Sequence, residues 1–303
     1  MKGEIEPRRP SLFTLHSSLF TVALLFSANY VISKLGMRQF SPMVFAWLRI
    51  AGASLILAVM VRGEPALSRE DKRRVSGFAI LGVVINAPLF LLGLSLTSVH
   101  VAAILITTIP VFTLAAAIGF GREKTSATRI GGIALAMAGA LLVVGGESLA
   151  GTWRSVLGAV LIVVNCLSYA LYLVLSKPAM ARLSPLRVVA QMFAVGAVVL
   201  LPVAAWPLMR QDWHSLTSGA WIALALVIAG PTIVAYLLQA WALRHADSSL
   251  VASYTYVQPV LATILGAIFF GEIMHPIVIV AALVIFTGVW LASRRAVIVD
   301  VVD

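Results

Sequence analysis

The side chains in this chain that could do chemistry are mostly neutral or aromatic, and they recur at helical spacing. Asn165, Tyr169, Tyr172 and Ser176 fall at i, i+4, i+7 and i+11, which on a helix makes one continuous polar stripe. Thr232, Tyr236 and Gln239 make a second stripe. Ser249, Ser253 and Tyr256 make a third, with Tyr254 and Gln258 on an adjoining face. Asn29 with Ser33, Asn86, and His100 with Thr107 and Thr108 add further groups. Amides and hydroxyls bind polar ends of a ligand, and tyrosine faces stack on its apolar part. The chemistry this predicts is reversible binding of an amphipathic, zwitterionic or weakly charged small molecule in a wet cavity. The competing use of each group is a hydrogen bond between helices, worth about 0.6–2 kcal/mol. For a single Ser or Thr that use is the default; for the Tyr169/Tyr172 stripe we expect cavity lining.

Bond-making chemistry finds no support. The five histidines, at 16, 100, 214, 245 and 275, are scattered near predicted helix ends, with no HExxH, GxSxG or P-loop pattern around them. The chain is therefore not expected to be an enzyme, to use ATP or to hold a cofactor. The single Cys166 rules out an intrachain disulfide and any multi-cysteine metal site, and reads as a small packing residue. All twelve acids fall in predicted tails, loops or helix ends: Glu123 and Glu272 end the fourth and ninth helices, and Asp247 opens the ninth. Without a midplane carboxylate relay, gradient-driven facilitated export is favoured over proton antiport. Arg49 is the costly exception, at about 2.5–3.5 kcal/mol if central. It could hold a substrate carboxylate, cap helix carbonyls or snorkel, and a structural role is the favoured expectation. Lys34 and Lys177 read as interface anchors, and His100 and His245 as interface residues.

These residues need a scaffold, and composition says which. Of 303 residues 61% are hydrophobic and only 11% charged, with a mean hydropathy of +1.01. A soluble domain carries about 25% charged residues. A membrane-spanning helix needs about 20 apolar residues, and the apolar runs predict ten: 17–35, 42–62, 75–95, 98–120, 126–146, 154–177, 185–207, 219–243, 247–271 and 276–294. The fold class expected is an all-α integral membrane protein. Its first run follows basic residues, as in a signal peptide, but continues to Lys34 and is read as the first span. Seventeen Lys and Arg fall on one side of this topology and four (Lys34, Arg38, Arg154 and Arg210) on the other, with Arg49 inside a helix. The positive-inside rule then places both termini in the cytoplasm; the membrane expected is a bacterial inner membrane. The same rule explains the net charge of +10 without a nucleic-acid partner. The expected partners are a small-molecule substrate and the lipid bilayer.

The chain also repeats itself. Ser33-Lys34 and Ser41-Pro42 match Ser176-Lys177 and Ser184-Pro185 at an offset of 143, while Pro110, Phe120, Glu123 and Gly139 match Pro259, Phe269, Glu272 and Gly288 at 149. A half with five helices is odd-numbered, so equivalent helices run in opposite directions, an arrangement characteristic of transporters with a substrate site between the halves. The expected organisation is a tail (1–16), a first repeat (17–146), a second repeat (154–294) and a tail (295–303). Pro110 and Pro259, expected in mid-helix, are candidate hinges for gating. Gly131, Gly132, Ala134, Ala138, Gly139 and Gly288 read as close-packing positions, at the periphery, between the halves or at a homodimer contact.

With these residues in view, the chain resembles the drug/metabolite transporter superfamily. Glu123-Lys124-Thr125 through Gly131 to Gly139, and Gly271-Glu272-Ile273 through Gly288, look like the ends of two EamA repeats, as does Ser41-Pro42 followed by Arg49. The second repeat departs by placing Met192 where the first has Arg49. The resemblance covers residues 17 to 294 and implies ten helices in two inverted five-helix repeats that export small metabolites. In overall likeness the chain is most similar to the YddG-type exporters of aromatic amino acids, which implies amino-acid export by alternating access. Drugs, nucleosides or other metabolites moved by proton antiport are the alternative.

Overall fold

The computed structural model describes residues 11–122, 126–150, 152–273 and 276–293. The matched acid Glu123 and the tails therefore lie outside the described residues. The chain is all-helical: α1 (Leu12–Gly36), α2 (Pro42–Met60), α3 (Arg69–Ala79), α4 (Asn86–Leu96), α5 (Val99–Ile106), α6 (Ile109–Gly119) and α7 (Ala127–Ala150). These are followed by α8 (Trp153–Arg182), α9 (Pro185–Arg210), α10 (Ser218–Val227), α11 (Ala235–His245), α12 (Ser248–Ser253), α13 (Gln258–Phe270) and α14 (Pro276–Ser293). Consecutive pieces join into spans. Among the described residues eight helices are long and apolar enough to cross a membrane, and two shorter apolar helices, Ala127–Val143 and Ile279–Leu291, accompany them. The protein is a multi-pass membrane protein.

Several helices start where the residue chemistry says they should. Ser11, Ser41, Ser68 and Ser98 each stand before a helix, and each hydroxyl accepts the amide of the third residue on. Pro42 and Pro185 occupy first-turn positions, where no intrahelical amide bond is lost. The expected and observed bounds differ mainly at ends. α8 runs to Arg182, so Lys177 lies inside a helix and not at its terminus.

Two spans are locally widened. Residues Ile80–Ile85, between α3 and α4, and Ile228–Val234, between α10 and α11, are π-helical. A widened turn leaves backbone carbonyls short of partners, which is tolerable in a membrane only if neighbours supply them. The Ser168 hydroxyl donates to the Leu81 carbonyl at 2.8 Å, and the Tyr236 hydroxyl to the Gly82 carbonyl at 3.0 Å. Those bonds hold α8 and α11 against the widened turn and aim Tyr236 inward.

Two further spans are broken. α5 and α6 are separated at Thr107-Thr108, whose hydroxyls fold back onto the carbonyls of Ile104 and Leu105. α12 and α13 are separated by a 3-10 turn, Tyr254–Val257. Pro110 and Pro259 were expected in mid-helix; both instead occupy the first turn after the break. The bend lies just upstream of each proline, whose missing amide costs nothing there.

α7 and α14 pair with each other at the edge of the bundle. A Cβ on Gly288 would stand 2.3 Å from the Ala136 nitrogen, and one on Gly139 2.6 Å from Ile285. Backbone approach this close requires glycine. Ile130, Leu141, Val280 and Leu283 face outward from the pair.

Candidate functional site

Between the spans lies a chamber of about 60 Å3, room for a few water molecules. From α1 it takes Phe26, Asn29 and Tyr30, at i, i+3 and i+4 on one face; from α4 it takes Asn86, Ala87 and Phe90. Asn165 and Tyr169 enter from α8, Tyr236 from α11, Gln258 from α13 and Arg49 from α2. Ile106, Ile109 and Thr255, at the two helix breaks, complete it.

The neutral polar groups of this chamber largely satisfy one another. The Tyr30 hydroxyl donates to Gln258 Oε1 at 3.2 Å, Asn165 Nδ2 donates to the Asn86 carbonyl at 2.8 Å, and the Tyr169 hydroxyl donates to Gln239 Oε1. Ser33 donates to Asn29 Oδ1 at 2.9 Å. Aromatic edges add rigidity: Tyr236 meets Phe193 with centroids 5.1 Å apart, and Tyr30 meets Phe90 at 5.3 Å.

The structure brings Asn29, Asn86, Asn165, Tyr169, Tyr236 and Gln258 to one chamber. Ser33 and Gln239 stand one layer behind, as hydrogen-bond partners of lining residues. Other expected residues do not line it. Tyr172 is fully buried in packing against Gly82, Phe78 and Tyr169, because the widened turn brings its ring under the backbone. Thr107 and Thr108 are consumed by the helix break. Tyr254 turns away and pairs with His16 on α1, because the 3-10 turn shifts the angular register that a continuous helix would have kept. Phe26, Tyr30, Phe90 and Thr255 were not singled out from the sequence. An aromatic residue three or four positions from an Asn on the same helix face is a signal that could have found Phe26 and Phe90; Tyr30 and Thr255 carry no such signal.

Ser253 and Tyr256 line a second, larger cavity of about 520 Å3 together with Pro110, Lys177, Asp247, Ser248 and Ser249. Arg122 and Arg129 are also among its described lining residues. Ile109 and Pro110 are adjacent, yet one lines the chamber and the other this vestibule; Thr255 and Tyr256 are split in the same way. The two helix breaks are therefore the partition between the cavities. Lys177 Nζ donates to the Leu243 carbonyl at 2.7 Å and also to that of Ala246. It ties α8 to the α11–α12 connection, more than the interface anchor expected.

At the opposite end the bundle is latched. α13 stops at Gly271, whose φ of 64° is left-handed backbone that glycine adopts without strain. The next residue, Glu272, turns back across the end of α5. Its carboxylate accepts the Val99 amide at 2.8 Å, the His100 amide at 3.3 Å and Lys34 Nζ at 2.6 Å. Lys34 donates also to the Thr97 carbonyl at 3.2 Å, and its ammonium stands 5.3 Å from the Phe270 ring centroid. Partial burial pushes the Glu272 carboxyl up. Hydrogen bonds from His100, Lys34 and the Val99 amide, with the Lys34 charge, overcome this and hold it at about 2. Lys34 and His100 are thus parts of an ion cluster, not the plain interface residues expected. His100 is buried beside Glu272, with Nδ1 3.3 Å from Oε2.

A multi-pass helical bundle with a polar, aromatic chamber between its spans, latched at one end and open to a vestibule at the other, defines a membrane transporter of small molecules. The chain belongs to the EamA-like transporter family, whose model matches it twice, over residues 15–145 and 156–294. Members of that family are transporters, not enzymes. Among the described residues no group of three His, Cys, Asp or Glu could hold a metal ion. An "uncharacterized transporter" of Archaeoglobus fulgidus is 26% identical over 92% of this chain and 97% of its own. The inner membrane transporter YedA of Escherichia coli K12 is 26% identical over 96% and 97%. A "probable terminal-alkyne amino-acid exporter" of Streptantibioticus cattleyicolor is 25% identical over 82% of each chain. A solved protein crystal structure superposes with a TM-score of 0.65 at 19% identity, over 94% of this chain and 100% of the other.

Proposed function

We propose that this transporter exports small amphipathic metabolites, amino acids including aromatic ones, by alternating access between two inverted five-helix halves, 17–146 and 154–294. The observation that carries this reading is the chamber itself. It offers neutral hydrogen-bonding groups and aromatic edges, is latched on one side by Lys34 and Glu272, and is separated from a wide vestibule only by two helix breaks. Amides bind ammonium and carboxylate groups, and rings hold an apolar side chain. At about 60 Å3 the chamber is smaller than an aromatic amino acid, so occupation requires the partition to move. The amino-acid exporter among the relatives supports the substrate class.

Matching distortions support the inverted halves. Adding 149 to the widened turn Ile80–Ile85 gives 229–234, against the observed Ile228–Val234. The same offset takes Thr107-Thr108 into the 3-10 turn Tyr254–Val257. Lys34 bonds the Thr97 carbonyl as Lys177 bonds that of Ala246, the lysines 143 apart and the acceptors 149 apart. The Lys177 end also gathers Arg122, Arg129, Arg182 and Arg187, which supports reading it as the cytoplasmic end, with both termini inside. On this reading the structure is the inward-facing form, its outer gate closed by Glu272.

Uptake of labelled phenylalanine, tryptophan, threonine and methionine by proteoliposomes, with and without a pH gradient, tests the proposal. Saturable flux of the aromatic amino acids, indifferent to the gradient, is the expected result. No flux of any amino acid, with nucleosides or drugs moved instead, would sink it.

A further inference from the structure

We infer that Arg49 is the carboxylate-recognition residue of the chamber, so that the substrates are organic acids, amino acids among them, and not neutral nucleosides or cationic drugs. The inference rests on the chamber being the substrate site, as proposed above, and adds the group that decides which molecules it accepts.

Arg49 is 4% exposed, in the middle of α2. Its Nε donates to the Thr232 hydroxyl at 3.2 Å, which fixes the plane of the guanidinium from the widened turn of the α10–α11 span. Among the described residues this is its one hydrogen bond, and no carboxylate stands within ion-pair distance. Neither Nη group has a hydrogen-bond partner among the described residues, and Arg49 lines the chamber. An isolated buried charge is among the costliest features a membrane protein can carry, and it persists where a counter-charge or water meets it.

The other polar groups of the chamber are neutral, and several are engaged with one another. Tyr30 donates to Gln258, Asn165 to the Asn86 carbonyl, and Tyr236 to the Gly82 carbonyl. Among the described residues Arg49 is the only charged one lining the chamber. A planar guanidinium with one edge held in place presents a fork that matches a carboxylate bidentately. Met192, at the matching position of the second half, is buried and stands 3.0 Å from a Cβ placed on Gly82. The chamber thus offers one anion site and not a symmetric pair. Among the described residues, Arg122 and Lys177 also line the vestibule below the partition.

The test is counterflow of labelled L-phenylalanine in proteoliposomes, competed by L-phenylalaninamide, phenethylamine and 3-phenylpropionate, for the wild type, Arg49→Lys and Arg49→Gln. Thermal shift of each purified protein with the same four compounds runs alongside. The wild type should bind phenylalanine and 3-phenylpropionate more than about 30-fold tighter than the amide or the amine, the scale of losing one partner of a desolvated charge pair. Arg49→Lys should keep part of that preference and Arg49→Gln none. Equal competition by the amide in the wild type, or a surviving carboxylate preference in Arg49→Gln, overturns the inference while amino-acid transport stands. A wild-type shift by 3-phenylpropionate alone, lost in Arg49→Gln, keeps the inference and sinks the amino-acid reading. Absence of any carboxylate-dependent shift or competition in the wild type overturns it whether or not the variants fold.

Discussion

Lys34 Nζ lies 2.6 Å from Glu272 Oε1, and that contact joins the end of α1 to the turn after α13 across 238 residues of sequence. The same carboxylate accepts the first free amides of α5, where the helix dipole favours a negative group. One side chain thus ties three helices at one end of the bundle. A second contact of the same sequence reach, between His16 at the start of α1 and the Tyr254 hydroxyl, lies toward the other end of the bundle, where the vestibule opens.

Glu272 makes the stability of this latch depend on pH. Its carboxyl is held at about 2, below the ordinary value of 4.5, so the folded state favours the ionised form. The contribution is fully present above the ordinary carboxylate range and is lost as pH falls through it toward 2. Glu272→Gln should lower stability at pH 7 by about 1–3 kcal/mol, through the stranded Lys34 and the weakened cap on α5. The variant should also flatten the acid limb of a plot of Tm against pH in detergent. Parallel acid limbs for variant and wild type would refute the assignment.

Two glycines on α7 and α14 should respond in opposite ways. Gly288→Ala places a methyl 2.3 Å from the Ala136 nitrogen, backbone that cannot step aside. The expected cost is about 1–3 kcal/mol as α14 is pushed off α7. Gly131→Ala meets nothing within 4 Å and should stabilise the helix by about 0.5–1 kcal/mol. Thermal unfolding of the two single variants decides it: equal effects would mean that small residues on this pair are not set by helix contact.

Pro110 and Pro259 should matter to rate more than to stability. Each sits in the first turn after a break, where alanine disturbs no existing bond. Pro259→Ala should change Tm little, yet slow turnover several-fold, because the restored amide lets α12 and α13 join across the partition. Full turnover in both alanine variants would show that these breaks are static.

Much of the architecture was legible from residue types alone. Length, hydropathy and the spacing of Lys and Arg are enough to define a bundle of apolar helices with a basic end, because a hydrocarbon core imposes length and composition on every span. Helical spacing puts Asn165 and Tyr169 on one face of α8, and both line the chamber; Tyr236 reaches it from another helix, α11. Arg49, Lys34 and Glu272 were visible as costly or terminal residues, but their partners were not. Glu272 is separated by 238 residues from Lys34 and by 172 from His100, and no local pattern encodes that distance.

What the tertiary structure alone decided is where helical register fails. The widened turns at Ile80–Ile85 and Ile228–Val234 and the breaks before Pro110 and Pro259 rotate everything beyond them. Tyr254 therefore leaves for His16 and Tyr256 faces the vestibule, while Tyr172, on the unbroken α8, is packed under the widened turn at Gly82. A periodicity argument assumes 3.6 residues per turn throughout. These turns depart from it because neighbouring helices supply the hydrogen bonds that an isolated helix would have kept for itself, and that exchange exists only once the helices are assembled.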